Sequence, residues 1–123
     1  MPGETILVAE DNAEEREGLA GVLRQRGYTV LTARDGAEAL KLLQAGPAPG
    51  LILLDMMMPG CDGWEFLDRR KPSPALASVP VVLVTGLPAA DAEWAASLGA
   101  VGFLRKPFDV DALLAEVRRW LPA

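Results

Sequence analysis

No histidine occurs among the 123 residues, and cysteine occurs once, at Cys61. The missing imidazole excludes a Ser-His-Asp triad, a Cys-His nucleophile pair and a His-ligated zinc. It also means that the chain cannot carry a phosphoryl group on a histidine of its own. A single thiol makes neither a disulfide framework nor a thiolate metal cluster, which fits a reducing compartment. Basic clusters are missing too. Lys+Arg number 12 against 17 Asp+Glu, a net charge of −5, and no patch suited to a nucleic-acid backbone stands out. No apolar run reaches the roughly 18 residues of a membrane-spanning helix. The start, Met1-Pro2-Gly3-Glu4, lacks the basic and apolar regions of a secretory signal. These absences lead to the expectation of a cytoplasmic protein that touches neither nucleic acid nor membrane directly.

What is present suits one full hydrophobic core. Half of the residues are apolar and 24% are charged, and the length fits one domain over residues 1–123. Five short apolar runs recur: Ile6-Leu7-Val8-Ala9, Thr29-Val30-Leu31-Thr32-Ala33, Leu51-Ile52-Leu53-Leu54, Val81-Val82-Leu83-Val84 and Val101-Gly102-Phe103-Leu104. Most are continuously apolar instead of alternating, the pattern of strands buried on both faces of a parallel sheet. Gly102 interrupts the fifth.

Segments with helical spacing lie between the runs. Leu19, Val22 and Leu23 precede a stop at Gly27, and Ala39, Leu40 and Leu43 precede Gly46-Pro47. Phe66 and Leu67 begin a third helix after Asp62, which Pro72 and Pro74 are expected to end. Ala92, Ala95 and Ala96 suggest a short fourth helix running to Gly99. Val110, Leu113, Leu114, Val117 and Leu121 give the fifth an apolar stripe. Strict alternation of five strands and five helices indicates a doubly wound α/β sheet with right-handed crossovers.

Open α/β sheets bind ligands at the carboxyl ends of their strands. There the sequence places Glu10-Asp11, Asp55, Thr85 and Arg105-Lys106-Pro107, while the second run ends in Arg34-Asp35-Gly36. Each has a local explanation. Asp11 or Asn12 suits a helix cap, and Asp55 suits the turn before Pro59-Gly60. Thr85 suits a strand end, and Lys106 a solvated surface.

Together they resist that account. Two carboxylates about 5 Å apart repel by roughly 3 kcal/mol at an effective dielectric near 20. Three acids against one lysine leave the rim at −2. A hard divalent cation is the natural compensation, and Mg²⁺ prefers such oxygen ligands. An Asp beside a metal, a lysine and a hydroxyl also suits phosphoryl transfer through an aspartyl phosphate. Asp55, ending the most apolar strand, is the best nucleophile candidate, with Glu10 and Asp11 left for the cation.

In order along the chain, these residues resemble the receiver domain of two-component response regulators. The likeness runs through Ile6-Leu7-Val8-Ala9-Glu10-Asp11-Asn12 and Asp35-Gly36-Ala37-Glu38-Ala39-Leu40. It continues in Asp55-Met56-Met57-Met58-Pro59-Gly60-Cys61-Asp62-Gly63 and Pro80-Val81-Val82-Leu83-Val84-Thr85-Gly86. It closes with Gly99-Ala100 and Phe103-Leu104-Arg105-Lys106-Pro107-Phe108. Each motif alone is weak, and all of them in order are specific.

The resemblance implies a flavodoxin-like sheet of strand order 2-1-3-4-5. It implies that Asp55 accepts phosphate from a phosphohistidine on a sensor histidine kinase or histidine phosphotransfer protein. Mg²⁺ would be held by Asp11, Asp55 and the backbone carbonyl of Met57, with Glu10 acting partly through water. Thr85 and Lys106 would sense the phosphoryl group, Phe103 takes the place of the switch aromatic, and Lys106-Pro107 resembles the family's cis peptide. Phe103 stands where Tyr is frequent, Gly86 where Ala is usual, and Cys61 where Met is usual; these departures affect tuning, not the reacting groups. Apolar Met57 and Leu87 beside the site suggest slow self-dephosphorylation.

Output in this family lies on the fourth helix, fifth strand and fifth helix, where phosphorylation biases a two-state equilibrium. The chain is thus expected to signal to a downstream protein, or to a second copy of itself in a phosphorylation-dependent dimer, and not to act as an enzyme. Trp94 and the line Leu113, Glu116, Trp120 are candidates for that surface; the plainer reading is that both indoles cover the core edge. Three other functions compete. A non-phosphorylated receiver-like adaptor is disfavoured by the intact Glu10, Asp11, Asp55, Thr85 and Lys106 set. A phosphatase of the haloacid dehalogenase kind needs an acid where Met57 stands. A flavin or nucleotide binder needs a Gly-rich loop where Glu10-Asp11 would repel phosphate.

Overall fold

The protein is described by a computed structural model covering residues 4–121; Met1-Pro2-Gly3, read above for a secretory signal, lie outside the described residues. The five apolar runs become β1 (Thr5–Ala9), β2 (Thr29–Ala33), β3 (Leu51–Asp55), β4 (Val81–Thr85) and β5 (Gly102–Arg105). All neighbours pair in parallel, in the order β2-β1-β3-β4-β5. Every residue of β3 and β4 is buried, which is why those runs do not alternate with polar residues.

Alternate strand residues serve two cores. Leu7, Ile52, Leu54, Val81 and Leu83 face one side, and Ile6, Val8, Leu53, Val82 and Val84 face the other. The first side is covered by α2 (Gly36–Ala45), α3 (Gly63–Arg70) and α5 (Ala92–Ser97), through Leu40, Leu43, Phe66, Leu67 and Ala95. The second is covered by α1 (Ala13–Gln25) and α6 (Val110–Trp120), through Ala20, Leu23, Leu113, Leu114 and Val117. Phe66 is fully buried, a burial that contributes about 2–3 kcal/mol. Leu113 is therefore a core residue, 1% exposed, and not part of an outer surface as the sequence suggested. It falls on the inward stripe of α6.

The sequence suggested five helices, and the structure has six. Pro74, expected only to end a helix, instead opens α4 (Pro74–Ala77) at its first position, with Ser73 as cap. Proline suits that position because its missing N–H would have no helical acceptor there. The helices expected fourth and fifth are thus α5 and α6. Gly27 and Gly99 follow α1 and α5 with positive φ, as expected of helix stops.

Local chemistry fixes each helix start. Asn12, Asp35, Asp62, Ser73, Asp91 and Asp109 each accept an N–H from the first turn of the helix they precede. Four of the 17 acidic residues, Asp35, Asp62, Asp91 and Asp109, serve in this way. Asn12, not Asp11, caps α1, which leaves the Asp11 carboxylate to the rim.

Behind the sheet's opposite end, Arg70 is buried. Its Nη1 donates to the carbonyls of Leu76, Ala77 and Val79, and its Nη2 to that of Gly99. Among the described residues, no helix is long and apolar enough to cross a membrane.

Candidate functional site

The chain crosses from one face of the sheet to the other between β1 and β3, and a crevice opens at their carboxyl ends. Glu10 follows β1 and is 2% exposed, Asp55 ends β3 at 4%, and Thr85 ends β4 at 1%. Asp11 is exposed at the rim. One carboxylate oxygen each from Glu10, Asp11 and Asp55 lies within 4.8 Å of the others. Lys106, a solvated surface residue if taken alone but part of the rim when the strand ends are read together, is drawn in. Lys106 Nζ lies 2.8 Å from Glu10 Oε1, 3.0 Å from Glu15 Oε1 and 3.9 Å from Asp55 Oδ1. The Lys106–Pro107 bond is cis.

The loop after β3 is clamped on both sides. A Cβ on Gly36 would come within 2.6 Å of the Cys61 carbonyl oxygen, and one on Gly63 within 2.8 Å of Met56 Cα. Both glycines instead donate their N–H to this loop, to Cys61 O and Met56 O. Close approach of backbone to backbone is the reason for glycine at both positions. Between them Met57 donates its N–H to Asp55 Oδ1 at 3.2 Å, while its side chain is 59% exposed. Cys61, inside this loop, is buried; burial first, then the Glu65 charge, pushes its thiol up and keeps it unreactive.

Electrostatics follow from the crowding. Burial first, then the adjoining Glu10 carboxylate, raises Asp55 from 3.8 to about 7 against the opposing Met57 N–H and Lys106. Burial alone would lower Lys106, but its hydrogen bonds to Glu10 and Glu15 and the Asp55 charge hold its ammonium above the usual lysine value. Thr85 Oγ1 accepts the Leu87 N–H at 3.0 Å, which leaves its own O–H to donate. Arg16, on α1, donates to the carbonyls of Glu10 and Asp11 and steadies the acidic pair from behind.

Beside the site, Phe103 is half-buried against the core, with the Arg105 guanidinium 5.5 Å from its ring centre. Arg105 also binds the carbonyls of Leu87 and Ala90, tying the loop after β4 to β5. Sequence reasoning singled out neither that tie nor Glu15. Glu15 stands three residues after the Asn12 cap, in the first turn of the helix that follows the Glu10-Asp11 pair, and that nearness was the available signal. The two candidate surface tryptophans are each half-buried. Trp94 packs on the core and meets Trp64 edge-on at 6.2 Å, and Trp120 packs on the other core while donating to Glu116 Oε2.

The chain belongs to the response regulator receiver domain family, whose model matches residues 6–118. Sporulation initiation phosphotransferase F of Bacillus subtilis is 34% identical over 123 residues, covering 99% of this chain and 97% of that protein. Response regulator PleD of Caulobacter vibrioides is 40% identical over 114 residues, 92% of this chain, but the match spans only 25% of PleD. Among solved structures, chemotaxis protein CheY4 of Vibrio cholerae superposes with a TM-score of 0.87 at 28% identity, covering 96% of this chain and 98% of that one. The receiver domain of sensor histidine kinase PA1611 from Pseudomonas aeruginosa, with magnesium in its active-site cleft, also gives 0.87, at 27% identity over 98% and 99% of the two chains.

Proposed function

We propose that residues 1–123 form a single phosphoacceptor domain in which Asp55 takes a phosphoryl group from a phosphohistidine. The donor would be a sensor histidine kinase or a histidine phosphotransfer protein. The observation that carries this reading is a buried carboxylate at a strand end, flanked by two further carboxylates and by a lysine 3.9 Å away. Three hard oxygen donors with one lysine between them fit a magnesium ion in number and chemistry. Glu10, Asp11, Asp55 and the backbone carbonyl of Met57 would hold it, and when bound it would neutralise charge on the phosphoryl oxygens.

In the transfer itself an Asp55 carboxylate oxygen bonds to phosphorus as the phosphorus–nitrogen bond breaks, and the released imidazole takes a proton from solvent. Lys106 supplies positive charge to the transferred group, and the Thr85 hydroxyl donates to one of its oxygens. Thr85 joins the site to the loop that Arg105 ties to β5. A shift of Thr85 would reach Phe103 through that loop and change the α5–β5–α6 face, where Trp94, Glu116 and Trp120 lie, for a downstream protein or a second copy.

The test is labelling by acetyl phosphate with Mg²⁺, read by intact mass. The wild type is expected to gain one phosphoryl group and Asp55→Asn none. An unmodified wild type overturns the reading in favour of a pure interaction module, and a variant that labels equally overturns Asp55 as the acceptor. Met57 and Leu87 follow Asp55 and Thr85 by two residues each, and if their apolar side chains shield the acceptor oxygen as the family resemblance implies, the acyl phosphate is expected to outlast seconds at room temperature. Loss of label within seconds would contradict that shielding.

A further inference from the structure

We infer that Glu15 sets the donor specificity of this site, disfavouring donors in proportion to their negative charge; this rests on Asp55 being the acceptor. Glu15 lies in the first turn of α1, outside the strand ends that carry the other acids. Its backbone is pinned because its N–H donates to Asn12 Oδ1 at 2.9 Å. Its half-exposed carboxylate stands 3.0 Å from Lys106 Nζ, whereas Asp55 stands 3.9 Å from the same nitrogen, beyond hydrogen-bond distance.

An ammonium has three hydrogens to share, and Nζ lies 2.8 Å from Glu10 Oε1 and 3.0 Å from Glu15 Oε1. The cation that the transferring phosphoryl group needs is therefore engaged by a surface carboxylate, at the mouth of the crevice. Glu15 acts twice in the same direction. It adds a fourth negative charge beside Glu10, Asp11 and Asp55, and it competes with the incoming phosphoryl oxygens for Lys106. Both effects grow with the charge of the donor. A small dianion meets the full penalty, and a donor of lower charge, or one whose surroundings are cationic, meets less. Glu15 is a positioning residue in this account, acting through Lys106.

The experiment compares labelling rates with acetyl phosphate, a dianion at neutral pH, and phosphoramidate, which carries less net negative charge. Glu15→Gln keeps side-chain length and helix propensity, so folding is not at stake, and a matching thermal transition checks it. At low salt, Glu15→Gln is expected to speed labelling by acetyl phosphate about three- to tenfold, with a smaller gain for phosphoramidate. The gain is expected to shrink as salt rises, because the affected charges lie at the open mouth. Glu15→Asp, which keeps the charge but shortens the reach to Lys106, is expected to fall between. If the ratio of the two donor rates is unchanged, or the gain is equal at all salt concentrations, the inference fails while the acceptor reading stands. If neither donor labels Asp55 in the wild type, both fail.

Discussion

Asp55→Asn is expected to stabilise the metal-free protein by ~2–4 kcal/mol at about pH 8, while abolishing phosphoryl uptake. The cause is the crowding that suits the site to a cation. Burial and the Glu10 carboxylate raise Asp55 from 3.8 to about 7. Between those values the folded chain holds a proton that the unfolded chain has released, so stability falls as pH rises through that window. Above about 7 the carboxylate is charged in both states, and the folded state bears the whole cost of keeping it beside Glu10. Asparagine carries no charge, keeps an oxygen to accept the Met57 N–H, and can donate to Glu10. The difference between variant and wild type should therefore narrow as pH drops toward the ordinary carboxyl value. Urea unfolding in a chelator at several pH values measures it. Adding Mg²⁺ is expected to recover stability in the wild type, and less in the variant. A variant less stable than wild type at pH 8 without metal would show that the carboxylates do not repel as described.

The parts of this molecule that were legible in its sequence are those where one physical demand dominates. Strands buried on both faces must be apolar throughout, so β3 and β4 stood out, and the residue that ends each was a candidate because ligands bind at that end of the sheet. Legibility failed where one residue type answers two demands. Proline stops one helix and starts another, and Pro74 does the second. Asp11 and Asn12 are both good caps, and only the chain direction after β1 decides that Asn12 takes the role. Leu113 shares a helical spacing with Trp120, yet faces the sheet. Glu15 reads as an ordinary first-turn acid until Lys106, which is distant in sequence, is brought against it.

Arg70 is the sharpest such case, and it carries the second large prediction. Arg69 and Arg70 both sit in the last turn of α3, where cations complement the helix dipole, and nothing local separates them. The structure does. Arg69 pairs with Glu65 at the surface, a contact worth at most about 0.5 kcal/mol. Arg70 is 5% exposed, and among the described residues its Nε has no hydrogen-bond partner. Burial lowers its pKa, and its guanidinium remains charged. Four carbonyls, on α4, the turn before β4 and the loop before β5, converge on Nη1 and Nη2. Removing the side chain leaves those oxygens facing a cavity. Arg70→Met is thus expected to cost ~2–4 kcal/mol in urea unfolding, against a few tenths for Arg69→Met. Arg70→Lys should recover less than half of the loss. A single ammonium lacks the planar fork that reaches from Val79 to Gly99. Equal effects at positions 69 and 70 would mean that the buried fork adds nothing beyond a helix-end charge. Because the same guanidinium joins the α3–β4 connection to the α5–β5 loop, its loss should also speed amide exchange in Pro74–Val79 and around Gly99 before the rest of the fold opens.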